Sequence, residues 1–317
     1  SPASLEVIDV WAEQLILPAL SVRVGQFRVP FTRHRQMSYA NLALVDWDAA
    51  SIRFGAERQL GMMVHNGAPS DSRIHYNVGV FTGVNARAAF ARGMAETYGE
   101  VLPNPSNLRS PAPAPELHPE LVANVGYATR AMDVSTQTDA EGGPPRIYVG
   151  LSAAWDAQPD LGLDFAMRIA PEALIKLHHL TIDAVGYLGI SERSDGGHSA
   201  GSLGANVDVA YRFHRRAEVA ARYSRVDTLE ELRDDARARA EAIVAAADPA
   251  AQPALLARYA DAGRVRNRQE AAVGLNVMMI GRSLAWQSDF GLVHTERTGS
   301  DTDEDELRLR SQLQLVF

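Results

Sequence analysis

The sequence predicts an all-β protein built as a transmembrane antiparallel β-barrel. The first observation is the end of the chain, where Leu307, Leu309, Leu313, Leu315 and Phe317 alternate with polar residues. A strand of about ten such residues offers one face to lipid and the other to water, as a barrel wall must. A half-buried strand of a soluble sheet would show the same period.

The second observation favours the barrel, because the pattern recurs about a dozen times and its polar row often carries charge. The inner face of a soluble β-sandwich would not tolerate those charges. The predicted strands are 5–17, 22–29, 58–64, 74–80, 121–127, 147–155, 161–169, 178–190, 203–213, 217–223, 271–279, 284–292 and 307–317. No segment approaches the roughly 18 apolar residues of a transmembrane helix, so any membrane location must rest on strands.

The connections differ in length in a regular way. With the C-terminus on the periplasmic side, the short turns 18–21, 66–72, 214–216 and 281–283 are periplasmic. The long connections 85–119, 191–201, 227–267 and 295–305 are then extracellular. This asymmetry is typical of bacterial barrels. Residues 131–145 and 170–177 are predicted to be longer periplasmic connections.

Two of the long connections have a character of their own. Residues 85–119 are rich in proline and predict an irregular extracellular loop. Within 227–267, Leu229, Leu232, Ala236 and Ile243 recur at helical spacing before Asp248 and Pro249 interrupt the pattern. This predicts a helical extracellular insertion, either a solvated structural cap or a partner-binding element.

Composition limits the function classes. The chain has no cysteine, which excludes disulfides and thiolate metal sites. Residues 296–306 hold much of the net charge of −8, and nothing in the bulk charge indicates nucleic-acid binding.

His178, His179 and Asp183 are the nearest approach to a catalytic group, but His179 and Asp183 simply share the polar face of one strand. With no phosphate-binding loop or nucleophile elbow, we expect neither an enzyme nor a cofactor, and residues 1–317 form one barrel domain.

Residues 22–31, which read VRVGQFRVPF, resemble a signature of the phosphate-selective porin O/P family. Residues 58–64 (RQLGMMV) are similar to the strand that follows it in that family, and 221–224 and 273–276 resemble two further family strands. The resemblance runs over most of the chain, with sharp motifs in about 25 residues. It implies a sixteen-stranded, homotrimeric porin of the bacterial outer membrane, in which residues 30–53 fold inward as a constriction loop.

The strand count agrees with this resemblance. Bacterial single-chain barrels have even strand numbers, whereas about thirteen strands are predicted here. We therefore expect that three N-terminal strands of a sixteen-stranded barrel are missing from this sequence and present in the full-length protein, or that another chain closes the barrel.

The predicted constriction and anion-binding residues are Arg28, Arg33, His34 and Arg35. Guanidinium groups bind phosphate and carboxylate with paired donors, so the cluster could attract small anions. Alternatively, these side chains pair with Asp46, Asp48 or Glu57 and only fasten the loop to the wall. No second ligand stands at a fitting spacing from His34, so no metal site is predicted.

Strand register predicts further pore-lining residues. They are Arg168, Arg212, Arg222, Arg308, Arg310, Asp164 and Asp208. Inward-facing arginines slightly outnumber inward-facing acids, which predicts a mild anion preference. Lys176 is the sole lysine, which departs from the strings of basic residues in phosphate-selective members and argues against strict phosphate selection.

The sequence as a whole predicts an outer-membrane porin for passive diffusion of small hydrophilic solutes. Its partners would be outer-membrane lipid, small anions or other solutes, and two further copies of the chain. The alternative is a structural or interaction barrel with a plugged mouth that binds a surface partner. Stepwise conductance would distinguish the two.

Overall fold

The computed structural model describes residues 9–55, 58–67, 71–82, 119–158, 163–193, 200–258, 263–280, 283–299 and 303–315. Within them, 13 strands form one antiparallel sheet in which each strand pairs with its neighbours along the chain. This confirms the prediction of about thirteen antiparallel strands. In the described residues the first and the last strand do not pair with each other. The proline-rich loop 85–119, apart from Pro119, and residues 1–8 lie outside the described residues.

The strands follow the order of the chain. They are β1 (Val10–Leu17), β2 (Leu20–Arg28), β3 (Arg58–His65), β4 (Ile74–Phe81), β5 (Glu120–Ala128), β6 (Arg146–Gln158), β7 (Leu163–Leu177), β8 (Leu180–Arg193), β9 (Ala200–His214), β10 (Ala217–Thr228), β11 (Val265–Ile280), β12 (Leu284–Arg297) and β13 (Glu304–Leu315). The turns after β1, β7 and β9 are short and lie at one end of the sheet, which we call the short-turn end. The opposite end is the long-loop end.

Alternation along the strands gives the sheet two faces of opposite character. The outer face carries exposed apolar side chains such as Val273, 59% exposed, and Leu309, 79% exposed. The inner face is buried and polar. Its charged members include Glu120, Arg146, Asp156, Arg168, Glu172, Lys176, Asp183, Asp208, Glu218, Arg222, Glu270 and Asp289. A water-soluble sheet buries its apolar face instead, so this inversion suits a wall between lipid and a polar interior.

One predicted connection is a strand. Residues 170–177 continue β7, and the chain turns only at His178 and His179, whose φ angles are 45° and 71°. Proline has no N–H to donate to a neighbouring strand, so a proline such as Pro171 usually lies outside the interior of a sheet. The structure accommodates Pro171 because the β7–β8 pairing skips from Ile169 to Glu172 at that point.

Two helices lie in the insertion between β10 and β11, where the sequence predicted them. They are α3 (Glu230–Ala246) and α4 (Gln252–Arg258), and Asp248 accepts a hydrogen bond from the N–H of Ala250 in the break between them. None of the helices in the described ranges combines the length and the apolar character needed to cross a membrane.

Two segments pack against the inner face. The first is the inward loop (residues 29–55) between β2 and β3, with α1 (Arg33–Gln36), a 3₁₀ turn (Tyr39–Asn41) and α2 (Ala49–Phe54). It enters from the long-loop end and is mostly buried, with Ser38, Tyr39 and Ile52 exposed.

The second segment is the connector (residues 129–145) between β5 and β6. The sequence predicted a long periplasmic connection at residues 131–145, without a position for its side chains. The structure instead buries its middle, including Met132, Val134 and Gln137, against the inner face. The connector enters from the short-turn end, so the two segments approach each other from opposite ends of the sheet.

Candidate pore constriction

The inward loop is held in shape by short-range caps. The side chain of Thr32 accepts a hydrogen bond from the N–H of Arg35, which fixes the single turn of α1. Asp48 caps α2 by accepting from the N–H of Ser51 at 2.9 Å. These two turns place Arg33 and His34 against β8 and Asp48 between His34 and Ser224 of β10.

The wall opposite α1 carries a pair of like charges. Asp183 of β8 lies directly across the strand pairing from Asp208 of β9, and both side chains are buried. Two carboxylates in that position destabilise a sheet unless other groups compensate them. Asp208 is compensated from its own wall by Arg222, whose Nε lies 2.7 Å from Oδ1 of Asp208. Asp183 depends on the inward loop.

Arg33 and His34 supply that compensation. The Arg33 guanidinium forms an ion pair with Asp183, and its Nε lies 3.6 Å from Oε2 of Glu172 on β7. The imidazole of His34 bridges two carboxylates, with Nδ1 at 3.1 Å from Asp183 and Nε2 at 3.2 Å from Asp48. Burial alone would lower the pKa of His34, but the hydrogen bonds to Asp183 and Asp48 raise it to about 9. His34 is therefore a cation at neutral pH.

Arg28 and Arg35 meet on the indole of Trp47. Their guanidinium carbons lie 4.7 Å and 4.3 Å from its ring centroid, within the range of cation–π attraction. Arg28 also donates to the carbonyls of Arg35, at 3.2 Å, and Met37, at 2.9 Å. All four predicted constriction residues thus come together in the inward loop and at its entry from β2.

The remaining predicted lining residues are spread along the wall. Arg168 pairs with Glu120 and donates to the carbonyl of Phe54 at 3.0 Å, so it fastens the end of the loop. Arg222 likewise reaches the carbonyl of Asp46 at 2.7 Å.

Three more predicted arginines pair within the wall. Arg310 binds Asp289 at 2.7 Å, Arg212 lies 3.7 Å from Glu218, and Arg308 binds Glu306 two positions away at 2.7 Å. The Arg308 pair is partly exposed, unlike the buried pairs further in. The side chain of Asp164, in β7, lies outside the described part of the chain, as does Glu57.

Close approach of the loop to the wall needs glycine at two places. A side chain built on Gly204 of β9 would come within 2.5 Å of the Phe54 ring, and one on Gly274 of β11 within 2.4 Å of Leu44. Phe54 and Leu44 therefore lie in notches that these glycines leave open. The ring of Phe54 also stacks on Tyr187 of β8, with centroids 5.1 Å apart and planes nearly parallel.

Sequence reasoning missed Glu172, Gln137 and the partnership of Asp183 with the loop. The predicted alternative, in which basic loop residues pair with acids and fasten the loop, named Asp46, Asp48 and Glu57. Asp48 does pair with His34, but the main partners are Asp183 and Glu172, which lie about 140–150 residues further along the chain. One sequence signal could have pointed to Asp183 as a partner of the loop: the alternation of polar and apolar residues placed its side chain on the inner face.

The site is a set of buried basic side chains that pack against buried carboxylates. Within the described ranges, no group of three or more His, Asp or Glu residues is arranged to hold a metal ion. Arg33, His34, Arg168, Arg222 and Arg310 each lie beside at least one carboxylate, so positive and negative side chains are close together on the inner face.

No protein-family model matches the sequence. No curated protein is significantly similar to it either. The phosphate-selective O/P family is therefore not confirmed.

Solved structures with a similar fold exist. The outer membrane channel DcaP of Acinetobacter baumannii matches with a TM-score of 0.50 and 10% identity, covering 93% of this chain and 72% of that one. OprB of Pseudomonas putida, in its high-pH structure, matches with a TM-score of 0.51 and 10% identity over 96% and 70% of the two chains. An anion-selective porin from Comamonas acidovorans matches with a TM-score of 0.50 and 10% identity over 93% and 72%.

At 10% identity these matches establish the architecture only. The chain has the fold of the transmembrane antiparallel β-barrel porins.

Proposed function

We propose that this protein is a channel of the bacterial outer membrane through which small hydrophilic solutes diffuse passively. The observation that carries the proposal is the inversion of the sheet. Its outer face is apolar, its inner face is charged, and a folded loop packs against the inner face. The similarity to outer-membrane porins supports this assignment. Nothing in the site provides an activated nucleophile or a general acid–base pair directed at a substrate, so the proposal is a channel and not an enzyme.

We further propose a mild preference for anions at the level of Arg28, Arg33, His34 and Arg35. One structural neighbour is described as an anion-selective porin. Because Arg33 and His34 lie against Asp183, Glu172 and Asp48, much of their charge is compensated within 4 Å. We therefore expect a small preference and no strict selection of phosphate.

The proposed assembly is a homotrimer of side-by-side barrels, as the resemblance to the O/P family implies. The exposed apolar outer face supports packing against lipid or another barrel equally. Mass measurement of the protein in mild detergent tests this proposal, and a solely monomeric species would contradict it.

A second candidate is a plugged barrel with a structural or binding role. It is favoured by the dense packing of the interior, where Phe31, His34, Leu42 and Phe54 of the loop are fully buried. In that case the purified protein would be electrically silent in a bilayer.

Conductance in a planar lipid bilayer tests the channel proposal. We expect stepwise openings and, in a salt gradient, a reversal potential on the anion side. The double variant Arg28→Gln/Arg35→Gln should shift the reversal potential toward cations. The matched control Arg237→Gln/Arg266→Gln removes the same charge from exposed positions and should leave the potential nearly unchanged. Cation preference in the unmodified protein would contradict the anion proposal, and complete silence would support the plugged barrel.

A further inference from the structure

The connector is attached to the wall at both of its ends. At its start, Nζ of Lys176 donates to the carbonyl of Asp133 at 2.7 Å. Near its end, Asp139 pairs with Arg146 and accepts from the backbone N–H of His179 at 3.0 Å. The only lysine of the chain and the strained turn after β7 thus both serve to anchor this segment.

Between these anchors, the middle of the connector reaches the centre of the interior. The carbonyl of Val134 accepts from Nη1 of Arg33 at 2.9 Å. The backbone N–H of Gln137 donates to the carbonyl of Asn41 at 3.0 Å, and its Oε1 accepts from the N–H of Ala43 at 2.9 Å. The connector and the inward loop are therefore joined directly to each other.

The amide of Gln137 also binds the wall. Its Nε2 lies 3.0 Å from Asp183 and 2.9 Å from Asp208, the two carboxylates that face each other across β8 and β9. An amide nitrogen has two hydrogens, one for each carboxylate. One uncharged side chain thus bridges the connector, the inward loop and the facing acidic pair.

We propose that residues 131–143 form a second constriction element, and that Gln137 is the latch that joins it to the inward loop. This inference rests on the proposed channel function. The base of the segment packs through Met132 and Val134 against Tyr148 and Leu174, whereas its tip is held by hydrogen bonds that water can replace. Release of the tip widens the interior from the short-turn end while the inward loop stays in place.

Single-channel conductance of Gln137 variants tests the latch. Gln137→Ala removes the bridge, and we expect at least a twofold rise in conductance and passage of larger sugars in liposome swelling. Gln137→Glu places a third carboxylate beside Asp183 and Asp208 and should give a larger rise. The matched control is Gln312→Ala, which removes an inner-face amide bonded to Gln287 and not to either inserted segment. Equal conductance in all four proteins would overturn the second constriction.

A cysteine pair provides the converse test in a chain that has no cysteine of its own. Asn41→Cys/Gln137→Cys replaces the backbone-linked residues of the two segments. When oxidised, the pair should hold conductance at the level of the unmodified protein, and dithiothreitol should raise it to the level of Gln137→Ala. Conductance that is insensitive to reduction in a verified crosslinked sample would contradict the proposal.

Hydrogen exchange separates failure of the latch from failure of the channel. If the unmodified protein and every variant are electrically silent, the channel function is wrong. The latch is then judged by exchange of residues 132–139, which should lose protection in Gln137→Ala and keep it in Gln312→Ala. Equal protection in both variants would overturn the latch as well.

Discussion

The inward loop and the helical insertion are both inserted between strands and both rich in charge, yet they behave in opposite ways. In the inward loop, Arg33 and His34 are buried against carboxylates of other elements. In the insertion, Arg237 and Asp234 of α3 pair with each other at 3.1 Å, and both side chains remain about half exposed. The loop depends on distant partners, and the helices depend on neighbours three residues away.

This difference shows that the contribution of a charged pair to stability depends on whether the pair is solvated or buried. A solvated pair contributes little, because water screens it and replaces it readily. A buried charge that loses its partner is strongly destabilising, because nothing else can solvate it. The inward loop should therefore respond to single substitutions that the helical insertion tolerates.

The largest expected effect comes from Asp183→Leu. The change removes the carboxylate that both Arg33 and His34 bind, and we expect a loss of about 3–5 kcal/mol in the free energy of unfolding in detergent. The double variant Arg33→Met/Asp183→Leu removes both charges of the pair and should be more stable than the single variant. A double variant that is less stable than Asp183→Leu would show that the ion pair is not what holds the loop.

The next effect concerns packing. Phe54→Ala empties the notch above Gly204, and we expect a loss of about 3–4 kcal/mol, typical of a buried aromatic residue. Leu256→Ala in α4, where the side chain is 59% exposed, should change stability by less than about 0.5 kcal/mol. Urea unfolding followed by tryptophan fluorescence measures both. Similar losses of unfolding free energy in the two variants would show that the inward loop and the helical insertion do not differ in how strongly their packing supports the fold.

A third effect is a dependence on pH. The raised pKa of His34, about 9 against an ordinary 6.5, means that the folded state holds a proton that the unfolded chain releases first. Its stabilising contribution is fully present below pH 6.5 and is lost as the pH rises through about 9, by up to on the order of 3 kcal/mol. Thermal unfolding between pH 6 and pH 10 should show this decline in the unmodified protein, with a much flatter profile in His34→Gln. Parallel profiles would contradict the bridging role of His34.

The smallest effect is expected in the helical insertion itself. Arg237→Ala/Asp234→Ala removes the exposed pair and should alter the free energy of unfolding by less than about 0.5 kcal/mol. Conductance should also be unchanged. A loss above 2 kcal/mol would mean that the insertion supports the barrel as strongly as the inward loop does.

The wall could be predicted from the sequence because its signal is local. Alternation alone assigns faces, and it correctly placed Asp183 and Asp208 inside. The prediction failed at residues 170–177, which were expected to form a connection and instead continue β7. The helices α3 and α4 were predictable for the same reason, since their apolar spacing and the Asp248 break are contained in one segment.

The contacts of the interior could not be predicted, because they join residues far apart in the chain. The basic cluster 33–35 stands out in the sequence. Its partners Glu172 and Asp183 can be identified only when the position of the inward loop against β7 and β8 is known. The connector was predicted only as a long periplasmic connection, because its contacts with Arg33 and with the acidic pair join residues far apart in the chain. Its polar middle is buried where Arg33 and the acidic pair form hydrogen bonds with it.

The facing carboxylates of Asp183 and Asp208 also bear on the order in which the protein assembles. The hairpin of β8 and β9 is formed by neighbours in the chain and could pair early. Arg222 of β10 compensates Asp208, but Asp183 is compensated only when Arg33, His34 and Gln137 bind it. Those groups lie 46–150 residues upstream of Asp183, so their contacts close long loops and form late. We expect that this hairpin remains loosely paired during synthesis and export, and that docking of the two inserted segments is the event that completes the wall.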